Sequence, residues 1–328
     1  MSVTIKRGIG VLSVLVVALL VWIMSARAGL LTHNEARLRA LYQLQDSKYL
    51  IVDGQQVHYV DRGRGPAIVL LHGSFGSLRM WNDWDAELSS QYRVIRFDRP
   101  RMGLSGPAAL GRTDTEHELR IIAVLTSRLG VERFFLVGTS SAGVAAAAYA
   151  ADHPQQVRGL LLANIAVGAF KPPTVQRPVI FRFLLAIDPL LKGWRSTEFW
   201  RQVLLANFHE PAQVTSELAR EWADLNNRAQ RMPAATFSMP PMAQFDRTIR
   251  DLERMTVPTL LLWSDHDHEL PVETVGRRGL ATVGSADKQL RVVSNCGHIM
   301  PLECGPESAR AARAFFERIV AGSPMNES

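Results

Sequence analysis

The segment Phe134-Phe135-Leu136-Val137-Gly138-Thr139-Ser140-Ser141-Ala142-Gly143 ends an apolar run on a serine with small neighbours. A strand that turns straight into a helix pushes one side chain out at the C-terminal edge of a sheet. Small residues on either side let the backbones approach closely there. Two phases are open: Ser140 between Gly138 and Ala142, or Ser141 between Thr139 and Gly143. A β-branched threonine suits a tight turn poorly, which favours Ser140. Taken alone, Gly-Thr-Ser is also an ordinary helix N-cap. Two further residues add weight. Asp267 follows the apolar run that ends at Trp263, and His298 follows the run that ends at Val293. A serine hydroxyl is a weak nucleophile at neutral pH and needs a base within hydrogen-bond reach. The base needs an acid to hold its tautomer. The order serine, acid, histidine, each after a strand, therefore reads as nucleophile Ser140, acid Asp267 and base His298.

The elements that must position these residues are legible as apolar runs. Strands are expected at Tyr49–Val52, Val57–Asp61, Ala67–Leu71, Tyr92–Phe97, Phe134–Val137, Val157–Ala163, Thr259–Trp263 and Gln289–Val293. Asp53-Gly54 marks a hairpin between the first two. Helices are expected after the Thr113-Asp114-Thr115-Glu116 capping box, over Ser141–Ala151, and from about Pro306 to Val320. Continuous apolar strands alternating with helices imply an α/β fold, a mostly parallel sheet covered on both faces. The alternation stops between about Val167 and Arg254, where Phe181, Trp194, Trp200, Trp222 and Met242 sit in a helical insertion.

The N-terminus carries its own signal. Gly8 to Ala26 holds no charge and follows Lys6 and Arg7. A helix of that length approaches the thickness of a bilayer's hydrocarbon core, and the positive flank stays in the cytoplasm. Residues 8–26 are therefore expected to anchor the chain in a lipid bilayer, with the rest on the exoplasmic side. The alternative is a signal peptide cut after Ala26-Arg27-Ala28.

Of 328 residues, 47% are hydrophobic and 21% charged, which excludes global disorder. The formal charge is +6, but only five of the 37 basic residues are lysine and none forms a run. A solvated arginine surface explains this better than a nucleic-acid stripe, so no nucleic-acid partner is expected. Two cysteines exclude a disulfide scaffold and a four-cysteine zinc site. Cys296 and Cys304 bracket His298; two buried free thiols are the first reading, and a bridge, which a returning loop permits but does not demand, is the alternative. His266 and His268 flank Asp267 beside Asp265, but no further cluster accompanies them. No metal and no cofactor is expected.

Further motifs complete a pattern. His72-Gly73-Ser74-Phe75-Gly76-Ser77 with Trp81, Phe97-Asp98-Arg99-Pro100-Arg101-Met102-Gly103-Leu104-Ser105, His153-Pro154-Gln155-Gln156-Val157, Pro258-Thr259-Leu260-Leu261-Leu262-Trp263 and His298 with Glu303 recur in this order. With the serine segment they resemble the α/β-hydrolase superfamily, in its epoxide-hydrolase-like and haloperoxidase-like esterase branch. Arg101 replaces the usual first glycine of its turn, and Ala142 replaces the glycine usual after the serine.

The resemblance implies an eight-stranded, mostly parallel sheet with helices on both faces and a helical cap. The resemblance covers about 49–321, a core in two parts (49–166 and 255–321) around a cap or lid (167–254); before it the residues themselves read as an anchor or signal peptide (1–28) and an amphipathic helical connector (29–48), and after it as a flexible tail (322–328). It implies oxyanion donors in the backbone N–H groups of Ser74 and Ser141, and a substrate pocket containing Phe75 and Trp81. Family spacing favours Asp267 over Asp265 as the acid. His72 is expected to support the oxyanion loop and Asp98 to organise its own loop. A serine rather than an aspartate at the elbow points to acyl transfer. The first expectation is a membrane-anchored serine hydrolase of the carboxylesterase type acting on an apolar small-molecule ester. The alternatives are a carbon–carbon hydrolase of ring-cleavage products and a non-catalytic ligand receptor.

Overall fold

The computed structural model describes residues 3–106, 115–168, 178–228 and 243–322, without the side chains of 3–12 and 243–244. Eight strands form one sheet: β1 Ser47–Val52, β2 Gln55–Arg62, β3 Ala67–Leu71, β4 Arg93–Phe97, β5 Phe134–Thr139, β6 Val157–Ala163, β7 Thr259–Ser264 and β8 Lys288–Val293. Their order is β1-β2-β4-β3-β5-β6-β7-β8. Among them only β2 runs against the rest, through antiparallel pairing with β1 and β4. The expected opening hairpin is this pair, turned at Asp53 and Gly54, both at positive φ.

Helices precede and cover the sheet. They are α1 Val3–Arg27, α2 Glu35–Tyr42, α3 Asn82–Leu88, α4 Thr115–Arg128, α5 Gly143–Asp152, α6 Val179–Ile187, α7 Thr197–Leu205, α8 Ser216–Asn227, α9 Ala243–Glu253, α10 Arg277–Thr282, α11 Met300–Glu303 and α12 Gly305–Val320. Alternate strand residues feed two cores, because successive side chains point to opposite faces. Val69, Leu71, Leu136 and Leu162 meet Ile122, Leu125 and Ala145 of α4 and α5. Ile68, Leu70, Phe135 and Val137 meet Trp84, Leu88 and Phe316 of α3 and α12. Both faces are covered, which is why the strands read as unbroken apolar runs.

The insertion between β6 and β7 supplies α6, α7 and α8. Ser196 and Thr215 start the latter two by accepting hydrogen bonds from Phe199 N and Leu218 N. Phe199, Trp200, Phe208 and Trp222 are buried with the second core, so much of the insertion's aromatic content serves packing. Of the sequence features, Thr113 and Asp114 of the capping box, Met242 and nearly all of the expected tail lie outside the described residues.

One expectation needs correction. The apolar N-terminal segment forms the 25-residue α1, but among the described residues no helix is long and apolar enough to cross a membrane. The bilayer anchor at 8–26, and the exoplasmic or secreted placement drawn from it, are therefore withdrawn. The end of α1 docks on the insertion instead. Trp22 meets Trp194 edge-on at 5.6 Å, Arg27 Nη1 donates to Leu190 O at 3.1 Å, and Ala26 is buried. A segment that one can read as a bilayer span from its lack of charge alone thus has protein on part of its surface.

Small residues at the start of α5 are a steric demand. A Cβ on Gly143 would lie 2.3 Å from Ile165 Cγ2, and one on Gly138 would lie 2.7 Å from Ala146 Cβ. Ala142, at 0% exposure, fits without replacement by glycine. Alanine is normally the better helix residue, yet Gly143→Ala should lower the unfolding free energy by about 1–3 kcal/mol through overpacking against the stiff, β-branched Ile165. Denaturant titration reads this directly. A midpoint equal to or above that of the parent would show that Ile165 yields and that the close approach is no constraint.

Candidate active site

The site is assembled at the C-terminal edge of the sheet, where β5, β6, β7 and β8 lie side by side. β5 ends at Thr139 and a tight helical turn, Ser140–Ala142, leads into α5. Ser140 has φ 51°, the left-handed region that non-glycine residues seldom adopt. This resolves the phase of the serine segment: Ser140, not Ser141, stands at the strained turn. Opposite it, a Cβ on Gly73 would come 3.0 Å from Ser140 Cβ, so a side chain at that point of the loop after β3 would crowd the serine.

Ser140 Oγ donates to His298 Nε2 at 3.0 Å, and His298 Nδ1 donates to Asp267 Oδ2 at 2.8 Å. Asp267 Oδ1 accepts the backbone N–H groups of Glu269 (2.9 Å) and Leu270 (2.8 Å), which fixes the carboxylate. Asp265 does something else. It accepts from Asn295 N, Cys296 N and His266 Nδ1, and so ties the loop after β7 to the loop after β8. Burial raises its pKa, but these hydrogen bonds outweigh that and hold it below the ordinary value. His266 also stacks on His209, with ring centroids 3.7 Å apart.

His298 is 6% exposed. Burial works to lower its pKa, but the Asp267 charge, the Glu269 charge and the Asp267 hydrogen bond push it up to about 9. Glu269 stands on the Ser140 side of the ring, with Oε2 3.8 Å from His298 Nε2. A second carboxylate beside the base was not legible in the sequence. Asn164 is the other residue sequence reading missed. It sits just after β6 at φ 48° and is fully buried. Its Nδ2 donates to Ser264 Oγ and to His298 O at 2.9 Å each, and its Oδ1 accepts from Ser264 N. One side chain thereby clamps β7 to the histidine loop. The available signal was a lone polar residue closing an apolar strand, of a type that tolerates positive φ.

Cys296 and Cys304 are joined in a disulfide, with Cα atoms 6.1 Å apart. The bridge staples the loop that carries His298. Glu303 reinforces it by accepting from Gly297 N at 2.7 Å and from Glu210 N at 2.6 Å. Among the described residues, Cys296, Glu303 and Cys304 form the one group with metal-ligand spacing, but both sulfurs are taken by the bridge.

The loop after β3, from which an oxyanion donor is expected, is built on buried polar contacts. His72 Nε2 accepts from Arg99 N and its Nδ1 donates to Gly73 O. Burial, with Arg99 nearby, pushes its pKa down to about 4 against the pull of Asp98, so the ring is neutral. Asp98 accepts from Leu78 N, Leu104 N and His58. Burial raises its pKa, but His58, His72 and these donors hold it below the usual range. Arg101 keeps the turn that usually has glycine by adopting φ 66° itself. Phe75 also stands at positive φ, and Asn226 of α8 donates to its carbonyl at 2.9 Å.

Ser74, Phe75, Ser140, Ser141 and His298 line one cavity. Met80, Ala166, Val203, Trp222, Phe245, Leu270 and Ile299 give it apolar walls, and Asn207 and Glu269 lie at its polar positions. Trp81 does not line it. The ring is wholly buried, edge-on to Trp84 at 5.0 Å, and belongs to the core, so its expected place in the pocket is corrected.

Residues 68–314 match the model of the alpha/beta hydrolase family. The chain belongs to that family. It is 30% identical to a 2-hydroxy-6-oxononadienedioate/2-hydroxy-6-oxononatrienedioate hydrolase of Burkholderia vietnamiensis, over 83% of this chain and 96% of the relative. It is 26% identical to a 2-hydroxy-6-oxo-6-phenylhexa-2,4-dienoate hydrolase of Comamonas testosteroni, over 80% and 91%. A meta-cleavage product hydrolase of Pseudomonas fluorescens superposes with a TM-score of 0.68 at 23% identity, covering 83% of this chain and 97% of that one. These relatives overturn the membrane-anchored carboxylesterase as first reading. They are named for ring-cleavage products, and their names give the receptor reading no counterpart.

Two tests follow from this geometry. The expected base role of His298 needs its neutral form, so kcat/KM should rise with pH through neutrality toward an apparent pKa of about 9. Removing the charge in Glu269→Gln weakens the support for imidazolium, so the acid limb should move to lower pH. A pH–rate profile unchanged by Glu269→Gln would show that this carboxylate is screened. For the bridge, Cys304→Ala should lower unfolding free energy by about 2.5 kcal/mol on the loop-entropy model. Intact mass after denaturing alkylation without reductant should show no modified thiol, and two modified thiols would refute the bridge.

Proposed function

We propose that this chain hydrolyses the carbon–carbon bond beside the ketone of a 2-hydroxy-6-oxo-dienoate. In this reading Ser140 is the nucleophile, His298 the base and then the acid, and Asp267 the partner that holds the imidazole. The supporting observation is the Ser140–His298–Asp267 relay at a largely apolar cavity, in a chain 30% identical to a hydrolase named for such a substrate.

The chemistry requires these groups. The dienol first shifts to its keto tautomer, which makes the carbon next to the 6-oxo group saturated. Ser140 Oγ then adds to the 6-oxo carbon, its proton passes to His298 Nε2, and the carbonyl electrons move to oxygen. The backbone N–H groups of Ser74 and Ser141 are the donors for that oxyanion; one such donor is typically worth a factor of about 10²–10³ in rate. Collapse of the intermediate breaks the bond to the saturated carbon. Its electron pair passes through the double bond to the 2-oxo oxygen, and His298 returns the proton to this dienolate. Water, deprotonated by His298, then releases the acyl group from Ser140 as a carboxylic acid. The apolar walls, Phe75 and Trp222 among them, suit the conjugated chain and the 6-substituent.

Incubation with 2-hydroxy-6-oxo-6-phenylhexa-2,4-dienoate should bleach its conjugated chromophore and release benzoate, both measurable by absorbance and chromatography. Ser140→Ala should slow this at least ~10³-fold. If the wild-type protein leaves both the phenyl substrate and its dienedioate analogue intact, the reading is wrong.

A further inference from the structure

The two oxyanion residues carry more than backbone donors. Ser141 Oγ accepts a hydrogen bond from Ser74 Oγ at 2.9 Å and another from Arg99 Nη1 at 2.9 Å. Arg99 is buried. Its Nε and Nη2 both donate to Glu118 Oε1, at 3.1 and 2.7 Å, which leaves Nη1 to serve His72 O and Ser141. A hydroxyl has two acceptor positions and one proton. With both acceptor positions of Ser141 Oγ filled, its proton is the remaining valence, and Ser141 lines the cavity with Ser140 and His298.

We infer that the Ser141 hydroxyl is a third oxyanion donor, placed beside its own backbone N–H and oriented by Arg99 and Ser74. When Ser140 Oγ bonds to the substrate carbonyl and the C=O electrons move to oxygen, Ser141 Oγ–H donates to that oxygen. It gives up no proton; the only proton transferred goes from Ser140 to His298. The guanidinium behind it polarises the hydroxyl, since hydrogen bonds in a chain strengthen one another in a site of low dielectric. Arg99 and Ser74 are positioning residues, because both act through Ser141. The donor set is peculiar to the side chains of this elbow: a residue without a hydroxyl at 141 would keep the backbone donor and lose this one.

The inference deepens the proposed function and rests on its nucleophile. Two readouts separate their failures. Phenylboronic acid adds reversibly to a reactive serine and places a charged oxygen where the oxyanion forms, so its affinity reads the site without any dienoate. Ser141→Ala should weaken the boronate ~10–100-fold and lower kcat on the phenyl dienoate by the same factor, with KM nearly unchanged, as expected for a contact made only in the transition state. Benzoate, a ground-state ligand, should bind as before. Ser141→Thr, which keeps the hydroxyl, should restore both values. Ser74→Ala should weaken the boronate less than Ser141→Ala, and the double variant should be no worse than Ser141→Ala alone. Boronate affinity unmoved by Ser141→Ala overturns the inference, as does a wild type that forms no boronate adduct. Boronate binding that follows this pattern in a protein inert toward the dienoates would overturn the proposed substrate and leave the third donor standing.

Discussion

The backbone of Ser140 sits at φ 51°. A side-chain-bearing residue in the left-handed region is disfavoured by roughly 1–2 kcal/mol, and only surroundings that over-determine it can keep it there. Those surroundings are β5 and α5, both buried through nearly every residue, with Gly138 and Gly143 against Ala146 and Ile165. The conformation lifts Oγ out of the sheet edge toward His298. Relaxing the turn would take Ser140 Oγ away from His298 Nε2 while leaving the His298–Asp267 contact in place. The packing of the central strand and its helix is in this sense a chemical requirement.

Around this turn, loops from four different parts of the chain must hold fixed positions. Their backbone groups are satisfied by buried side chains. Asp98 holds the turn after β4 to the loop after β3, His72 joins the latter to Arg99, and Asp265 ties the loop after β7 to that after β8. Asn164, just after β6, reaches both Ser264 and His298. Buried polar groups of this kind are costly when left unpaired, so each contact constrains the next. The bridge between Cys296 and Cys304 adds a covalent constraint to the loop that carries His298.

Electrostatics divides the site into two sides. Beside the base stand Asp267 and Glu269, both favouring imidazolium. On the other side of the cavity stands the Ser74–Ser141 hydroxyl pair with Arg99 behind it, where the proposed reaction puts its oxyanion. In the proposed reaction, positive charge on the ring and negative charge on the substrate oxygen arise together. Each forms where fixed partners of opposite sign already lie, so little reorganisation is needed at that moment.

Much of this was written along the chain. Ala67–Leu71 and Val157–Ala163 are strands over the residues their apolar runs marked, and the order serine, acid, histidine placed Ser140, Asp267 and His298 at the ends of β5, β7 and β8. These features are local: apolar periodicity and small residues at a turn act over a few neighbours. Contacts between distant segments were not readable in this way. Nothing in the spacing distinguished the pocket-lining Phe75 from the core-bound Trp81, or showed that Asn164, Glu269 and Arg99 would converge on the site. The apolar N-terminal run was read by its lack of charge, yet the partner that Trp22 meets, Trp194, lies far along the chain. Sequence determined which strands form and which residues can react. Tertiary structure decided which of them share a hydrogen bond, because that depends on the sheet order β5-β6-β7-β8 bringing four separate loops to one edge.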